Sequence, residues 1–415
     1  MILYTNIGGL VGAELKPQLR KVGREMDNLN IISDAWLSVD GERIVAFGAM
    51  RELKPEVMAA HDDVVDMKGG WVFPSFCDSH THIVYAGNRA GEFLDKINGL
   101  SYEEIGRRGG GILNSADLLH NTSEDELYRQ AMERVDEMIA KGTGAMEIKS
   151  GYGLTTEDEL KMLRVIRRIS ETTPALVKTT FLGAHAVGRA YAGRQSEYVD
   201  LVCNEMLPEV GRQGLADYVD VFCDEGYFTV DDTRRILEAA AKWGLTPKIH
   251  ANELAVSGGV QVGVECGALS VDHLERSTPV EFEALRGSKT MPTILPGASF
   301  FLGMPFADGK TMINSGLGIA MASDYNPGSS PSGDMRFVAA LGSIRIKLTP
   351  QQSINATTIN SAYAMDLSGE AGTITPGKIA NFFVTEPLPS LEYFLYAYNT
   401  PLIREIYLRG SRIDY

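Results

Sequence analysis

An apolar run, Phe73-Pro74-Ser75-Phe76-Cys77-Asp78-Ser79-His80-Thr81-His82, ends in two histidines one residue apart. Side chains alternate across a β-strand, so His80 and His82 on a strand face one side and Thr81 the other. Two imidazoles on one face are a ready pair of metal ligands. The pair by itself is equally compatible with two unrelated surface histidines. Further ligands at other strand ends decide between the readings. The chain has seven histidines: His61, His80, His82, His120, His185, His250 and His273. Five of them, His80, His82, His185, His250 and His273, fall at the ends of predicted strands. His61 lies in a strand-rich N-terminal region and His120 in a polar loop ahead of a helix. The last strand of the series, residues 317–324, ends in the carboxylate of Asp324.

The elements that must position these side chains can be read from periodicity. Eight short apolar or β-branched runs end near His82, Lys149, His185, Cys223, His250, His273, Leu295 and Asp324, each followed by a polar or glycine-rich loop. Helical stretches separate several of them. Ser123 and Glu126 form a capping-box pattern ahead of Leu127, Ala131, Val135 and Met138 on one helical face. Thr156 and Glu159 repeat the pattern before Leu160, Leu163, Ile166 and Ile169. Asp232 precedes a helix carrying Ile236, Ala240 and Trp243 and stopped by Gly244. Strand-helix alternation of this kind predicts an α/β fold, a (β/α)8 barrel of the TIM type, with its chemistry at the C-terminal ends of the strands. Both ends of the chain are instead strand-rich. Residues 34–48 read as a hairpin about Asp40-Gly41, and residues 381–384 and 404–409 as strands. The expected organisation is a small β-sandwich domain built from residues 1–70 and 365–415, with residues 71–364 forming the barrel.

The 415 residues suffice for such a barrel and a small second domain. A net charge of −15 argues against nucleic acid or an anionic membrane as partner. Cys77, Cys203, Cys223 and Cys266 show no disulfide or zinc-framework spacing and read as small thiols in a reducing cytosol. The N-terminus shows no basic leader or cleavage pattern, and no apolar run approaches the ~20 residues of a membrane span. The expectation is a soluble, cytoplasmic protein. Gly109-Gly110-Gly111 lacks the Gly-Lys-Ser/Thr continuation of a phosphate loop and reads as a loop, or a lid, at the barrel mouth.

The stretches 78–82, Lys248-Ile249-His250-Ala251-Asn252, Val271-Asp272-His273-Leu274-Glu275 and Ala322-Ser323-Asp324 resemble the amidohydrolase superfamily of metal-dependent hydrolases. Gly87-Asn88-Arg89, Glu147-Ile148-Lys149-Ser150-Gly151-Tyr152-Gly153-Leu154, Phe181-Leu182-Gly183-Ala184-His185, Glu253 and Asp324-Tyr325-Asn326-Pro327-Gly328 narrow the resemblance to its imidazolonepropionase family, over nearly the whole chain. The resemblance implies hydrolysis of a cyclic amide C–N bond in histidine breakdown, in 4-imidazolone-5-propanoate. It makes His80, His82, His250 and Asp324 the ligands of one Zn2+ or Fe ion per subunit. Three imidazoles and a carboxylate suit either metal and leave a position for water, whose pKa falls to ~7 there.

His273 then lies beside the metal, orienting or protonating the reacting group. Its plainer alternatives are a further ligand or a satisfied core histidine. Glu253 is either the group that activates water or a hydrogen-bond partner of the substrate ring, against the alternative of a solvated glutamate. Together with Asp324, these are the candidate catalytic residues. Arg89 can clamp a propionate carboxylate with two parallel hydrogen bonds. The resemblance adds Tyr152, His185, Asn326, Gly328 and Ser329 to the substrate site. Lys149 stands where some relatives carry a carbamylated lysine that bridges two metals, and reads here as structural or electrostatic. A homodimer is implied by the resemblance alone. The rival readings are a deaminase of heteroaromatic bases on the same fold and a non-enzymatic scaffold that would have lost ligands.

Overall fold

Residues 1–100, 104, 108 and 110–414 are described by the computed structural model. The middle of the chain forms eight parallel strands that neighbour one another in chain order: Phe76–Thr81, Thr143–Lys149, Leu176–Ala184, Tyr218–Cys223, Thr246–Ala251, Ser270–His273, Met291–Ile294 and Ala320–Met321. The first and last are joined by backbone hydrogen bonds from Asp324 N–H to the His80 carbonyl, 3.0 Å, and from His82 N–H to the Tyr325 carbonyl, 2.9 Å. The sheet is therefore a barrel. Seven strands end within one residue of the positions read from sequence. The eighth ladder stops at Met321, short of Asp324, whose φ of 54° turns the chain out of the extended conformation.

The two ends of the chain share one mixed sheet. Ile2–Val11 pairs antiparallel with Ile31–Asp40 and parallel with Asp63–Asp66 and Trp71–Pro74. Arg43–Ala49 extends one side, turning at Asp40-Gly41 as the hairpin signal required. Phe382–Thr385, Ile403–Leu408 and Ser411–Ile413 extend the other. The apolar run that leads to His80 and His82 is thus not one strand. Trp71–Pro74 belongs to the terminal sheet and Phe76–Thr81 to the barrel, with Ser75 between them. Phe73 and Phe76 lie on either side of this junction and close it by stacking. Phe73 is 4.5 Å from Phe394 and 5.3 Å from Phe383, and Phe76 is 5.1 Å from Phe383, between ring centroids.

The helices shield the barrel with the faces their periodicity foretells, with two shifts of cap. In helix Glu124–Ala140 the Ser123 hydroxyl accepts from Glu126 N–H, and Leu127, Ala131, Val135 and Met138 are buried. Helix Thr156–Thr172 is capped one residue earlier than expected: Thr155, not Thr156, accepts from the third helical N–H, that of Asp158. Helix Val230–Ala241 is capped by Thr229, with Asp232 as the reciprocal partner rather than the cap, and Trp243 lies beyond it, partly exposed. His120 ends helix Ile112–His120 instead of lying in a loop, and helix Glu124–Ala140 follows it. All four cysteines are free, two buried and two half-buried. Among the described residues no helix is long and apolar enough to cross a membrane.

Candidate active site

The inner face of the barrel carries charge. Asp220 and Asp272 stand in the middle of apolar strand runs and are fully buried, as are Glu147, Lys149 and Lys248. A charge without a partner in such a place would cost several kcal/mol, and here each has one. Lys149 Nζ lies 2.5 Å from Glu147 and 2.8 Å from Asp220. Lys248 meets the other oxygen of Glu147 and the Ser79 carbonyl. Burial opposes the charge on Lys149, but Asp220, Glu147 and Asp272 outweigh it and raise its pKa. The role left open for Lys149, structural or electrostatic, is therefore placed: it neutralises carboxylates beneath the histidines.

Those carboxylates orient the layer above. Asp272 Oδ2 lies 2.6 Å from His80 Nδ1, and Asp220 Oδ2 lies 2.9 Å from His250 Nδ1, a close contact whose angle is poor for a hydrogen bond. A carboxylate can only accept, so Nδ1 of His80 carries the ring proton and Nε2 presents its lone pair. Thr81 turns away to donate to the Glu147 carbonyl, as alternation demands. His80 Nε2 is then 3.2 Å from His82 Nε2, which is 3.4 Å from His250 Nε2. Asp324 Oδ1 lies 3.6 Å from both His80 Nε2 and His82 Nε2. Burial first, and then Lys149 and the neighbouring imidazoles, push His80 and His82 well below their ordinary pKa, so both are neutral and able to ligate. Three buried imidazole nitrogens crowded together, that of His80 with its lone pair toward the centre, fit a metal ion.

Asp78, the first acid of the motif, does not join them. It accepts from the Ser323 N–H and hydroxyl and so braces the residue before Asp324; burial raises its pKa to about 7. Asp324 itself sits in the left-handed region, held by its N–H bond to His80 and by the Ser329 hydroxyl at 3.2 Å.

One cavity above this cluster is lined by His82, Arg89, Tyr152, His185, His250, Glu253, His273, Asp324, Asn326 and Ser329. Residues named from sequence on six separate loops are thereby gathered at one mouth. His61 and His120 stay outside, bonded to Ser38 and Asp158 respectively. Arg89 is buried; its Nε donates to Ser115 at 2.9 Å, while Nη2 is buried without a hydrogen-bond partner. Gly328 makes room for it, since a Cβ there would lie 2.1 Å from Arg89 Nη1. His185 Nδ1 lies 3.0 Å from the Gly151 carbonyl, so its other nitrogen is an acceptor. Burial, chiefly, holds the ring neutral with a pKa of about 3. His273 stands between Glu253, 3.6 Å away, and Glu275, 3.5 Å away. Burial opposes its charge, but these two carboxylates raise its pKa well above the usual value. Burial also raises Glu253 to about 7.

Asn326 holds the loop together rather than leaving its amide free. Its oxygen accepts from Gly328 and Ser329 N–H, and its nitrogen donates to the Asp324 carbonyl and Ser329 hydroxyl. These use every donor and acceptor of the amide. The three-glycine loop includes Gly109, which lies outside the described residues; Gly111 caps helix Ile112–His120 and donates to Glu92.

Four kinds of residue escaped the sequence reading. Asp272 orients His80 and Asp220 abuts His250, and the available signal was a lone acid inside an apolar strand run. Ile112 and Phe222 line the cavity with no signal beyond hydrophobicity. Asp224 accepts from the N–H groups of Glu253, Leu254 and Ala255, fixing the loop after His250. Glu159, expected to cap a helix, is buried against the loop bearing Tyr152.

Residues 71–403 match the profile described as the amidohydrolase family. A protein of Christiangramia forsetii named imidazolonepropionase is 50% identical over 412 residues, 99% of this chain and 100% of that relative. One of the same name from Flavobacterium johnsoniae is 51% identical, covering 99% of each chain. Among solved structures, a zinc-bound adenosine deaminase from Xanthomonas campestris shares the fold with a TM-score of 0.70 at 14% identity, covering 99% of this chain and 92% of that one. A guanine deaminase from C. acetobutylicum shares it with a TM-score of 0.68 at 14% identity, covering 99% of each chain. The chain belongs to the amidohydrolase family and, within it, to the imidazolonepropionases.

Proposed function

We propose that this enzyme hydrolyses the ring amide C–N bond of 4-imidazolone-5-propanoate, giving N-formimidoyl-L-glutamate. The supporting observation is Arg89: a buried guanidinium with an unpartnered Nη2 on the wall of the cavity that also holds the histidine cluster. An unmet buried donor of this kind calls for an anionic acceptor, and the propionate carboxylate supplies one. His80, His82, His250 and Asp324 would hold a zinc or iron ion, which would supply Lewis acidity and lower the pKa of a water toward neutrality.

The protein's own groups do the rest. Arg89 takes the carboxylate, with the Tyr152 ring 5.6 Å from its guanidinium carbon flanking the same end. The free nitrogen of His185 accepts from a ring N–H. His273, kept cationic between Glu253 and Glu275, donates to the oxygen that gains charge as the ring carbonyl is attacked. Glu253 and Asp324 take up the proton of the attacking water and return one to the departing ring nitrogen. Water's oxygen ends on the carbonyl carbon and its proton on the nitrogen, so the ring opens without other reactants.

The test follows loss of the imidazolone absorbance with metal-loaded protein, beside ammonia release from adenine and guanine. The substrate should be consumed, and Arg89→Met should lower kcat/KM by about 30-fold or more, the cost of ~2 kcal/mol for a stranded carboxylate. Unchanged kcat/KM in Arg89→Met, or turnover of a neutral base instead, would sink the assignment.

A further inference from the structure

Glu159 lies on helix Thr156–Thr172 with its side chain turned inward and wholly buried. The helix cap is satisfied by Thr155, so Glu159 is not used there. Its Oε1 accepts from Gly153 N–H at 2.7 Å and Leu154 N–H at 3.0 Å, and its Oε2 from Gly151 N–H at 3.1 Å. Its stabilising neighbours are these N–H groups and the Ser150 hydroxyl rather than a cation. Helix packing alone would be served by an apolar residue, as it is at Met162 and Leu163. A buried carboxylate without a counter-ion destabilises the fold unless its hydrogen bonds are geometrically complete.

The backbone it grips carries two groups of the site. Tyr152 is flanked by Gly151, φ 111°, and by Gly153, where a Cβ would lie 2.3 Å from the Glu159 backbone nitrogen. Leu154 follows at φ 56°, a conformation that an L-residue keeps only when its surroundings impose it. The Gly151 carbonyl in turn accepts from His185 Nδ1, and the Tyr152 and His185 rings lie 5.4 Å apart. One carboxylate thus pins the peptides on either side of the Gly151 carbonyl, which decides which nitrogen of His185 is an acceptor, and fixes the turn that aims Tyr152.

We propose that Glu159 is a positioning residue for substrate recognition, acting through the Gly151–Leu154 backbone on Tyr152 and on the tautomer of His185. The proposal rests on reading those two as substrate contacts. Glu159→Gln sets an amide NH2 against at least one N–H that now donates. It is measured alone and in a cycle with His185→Gln, with Tyr152→Phe as a separate control, recording kcat, KM and metal per chain. Glu159→Gln should lower kcat/KM by about tenfold, mainly through KM, with metal content unchanged, and by less than about threefold in the His185→Gln background. Wild-type kcat/KM in Glu159→Gln, or the same loss in both backgrounds, overturns the proposal. Should His185→Gln and Tyr152→Phe both keep wild-type kcat/KM, the substrate reading falls with it. If Glu159→Gln does not fold, Glu159→Asp replaces it in the same cycle, because a shorter acid cannot span Gly151 and Gly153 together. A loss confined to the wild-type background then supports the proposal, and no loss, or an equal loss in both backgrounds, overturns it.

Discussion

Replacing Asp272 by asparagine separates the two tasks of the charged layer under the histidines. Asp272 accepts from His80 Nδ1 at 2.6 Å through one oxygen and from the Ser270 hydroxyl at 2.5 Å through the other. An asparagine can offer His80 its oxygen only by turning its NH2 to Ser270, which must then accept. In the opposite orientation NH2 meets Nδ1, the ring proton moves to Nε2, and the nitrogen facing His82 and His250 is blocked. The charge count bears on the fold. Glu147, Asp220 and Asp272 are three acids against Lys149 and Lys248, two bases, all buried. Removing one acid leaves this set balanced, and Lys149 keeps its shorter contacts to Glu147 and Asp220. Folding stability should therefore fall by only ~1–2 kcal/mol, the scale of one buried hydrogen bond. Metal affinity should fall about 10–100-fold, as when the acid behind a ligating histidine is lost. Competition with a chelator for Zn2+ gives the affinity, and a thermal melt of the apoprotein gives the stability. A zinc affinity within about threefold of wild type would refute the idea that Asp272 sets the donor nitrogen of His80.

Two further outcomes are expected. Gly328→Ala should push Arg89 aside, because the added carbon would sit 2.1 Å from Nη1, and should raise KM more than it lowers kcat; an unchanged KM counts against the clamp. Lys378 is buried beside the Ala371 carbonyl and the Thr373 hydroxyl, and burial lowers its pKa to about 8. Between that value and the ordinary lysine value the unfolded chain binds the extra proton, so this group makes the fold more stable as pH rises from about 8 to 10.5. Denaturant unfolding should show wild type gaining on Lys378→Met across that window by at most about 3 kcal/mol, and a constant difference would contradict it.

Much of the barrel was legible because strand ends announce themselves: an apolar run stops and a polar loop begins. Placing His80, His82, His250 and Asp324 at such ends needed no tertiary knowledge. What periodicity cannot supply is the identity of a partner on another strand. Asp220 and Asp272 looked like interruptions of apolar runs until Lys149, Lys248 and the histidines were set beside them. Continuity of pattern also misled. Residues 73–82 read as one strand, yet the chain passes from one sheet to another at Ser75, close to Gly144, where a Cβ would lie 2.2 Å from the Ser75 hydroxyl. Glu159 shows a third limit. Its spacing from Thr156 matches a cap, but Thr155 already fills that need, and the freed acid is taken by a loop the local pattern does not mention.

The backbone bonds that join the first and last barrel strands run through His80, His82 and Asp324 themselves. These residues are some 240 positions apart in the chain. The cup proposed to hold an ion is consequently not preformed on any fragment, and it comes into being only when the final strand docks. Contacts of such long sequence separation form late and slowly. An ion that binds only the finished barrel then acts as a latch, drawing the closing step forward by mass action.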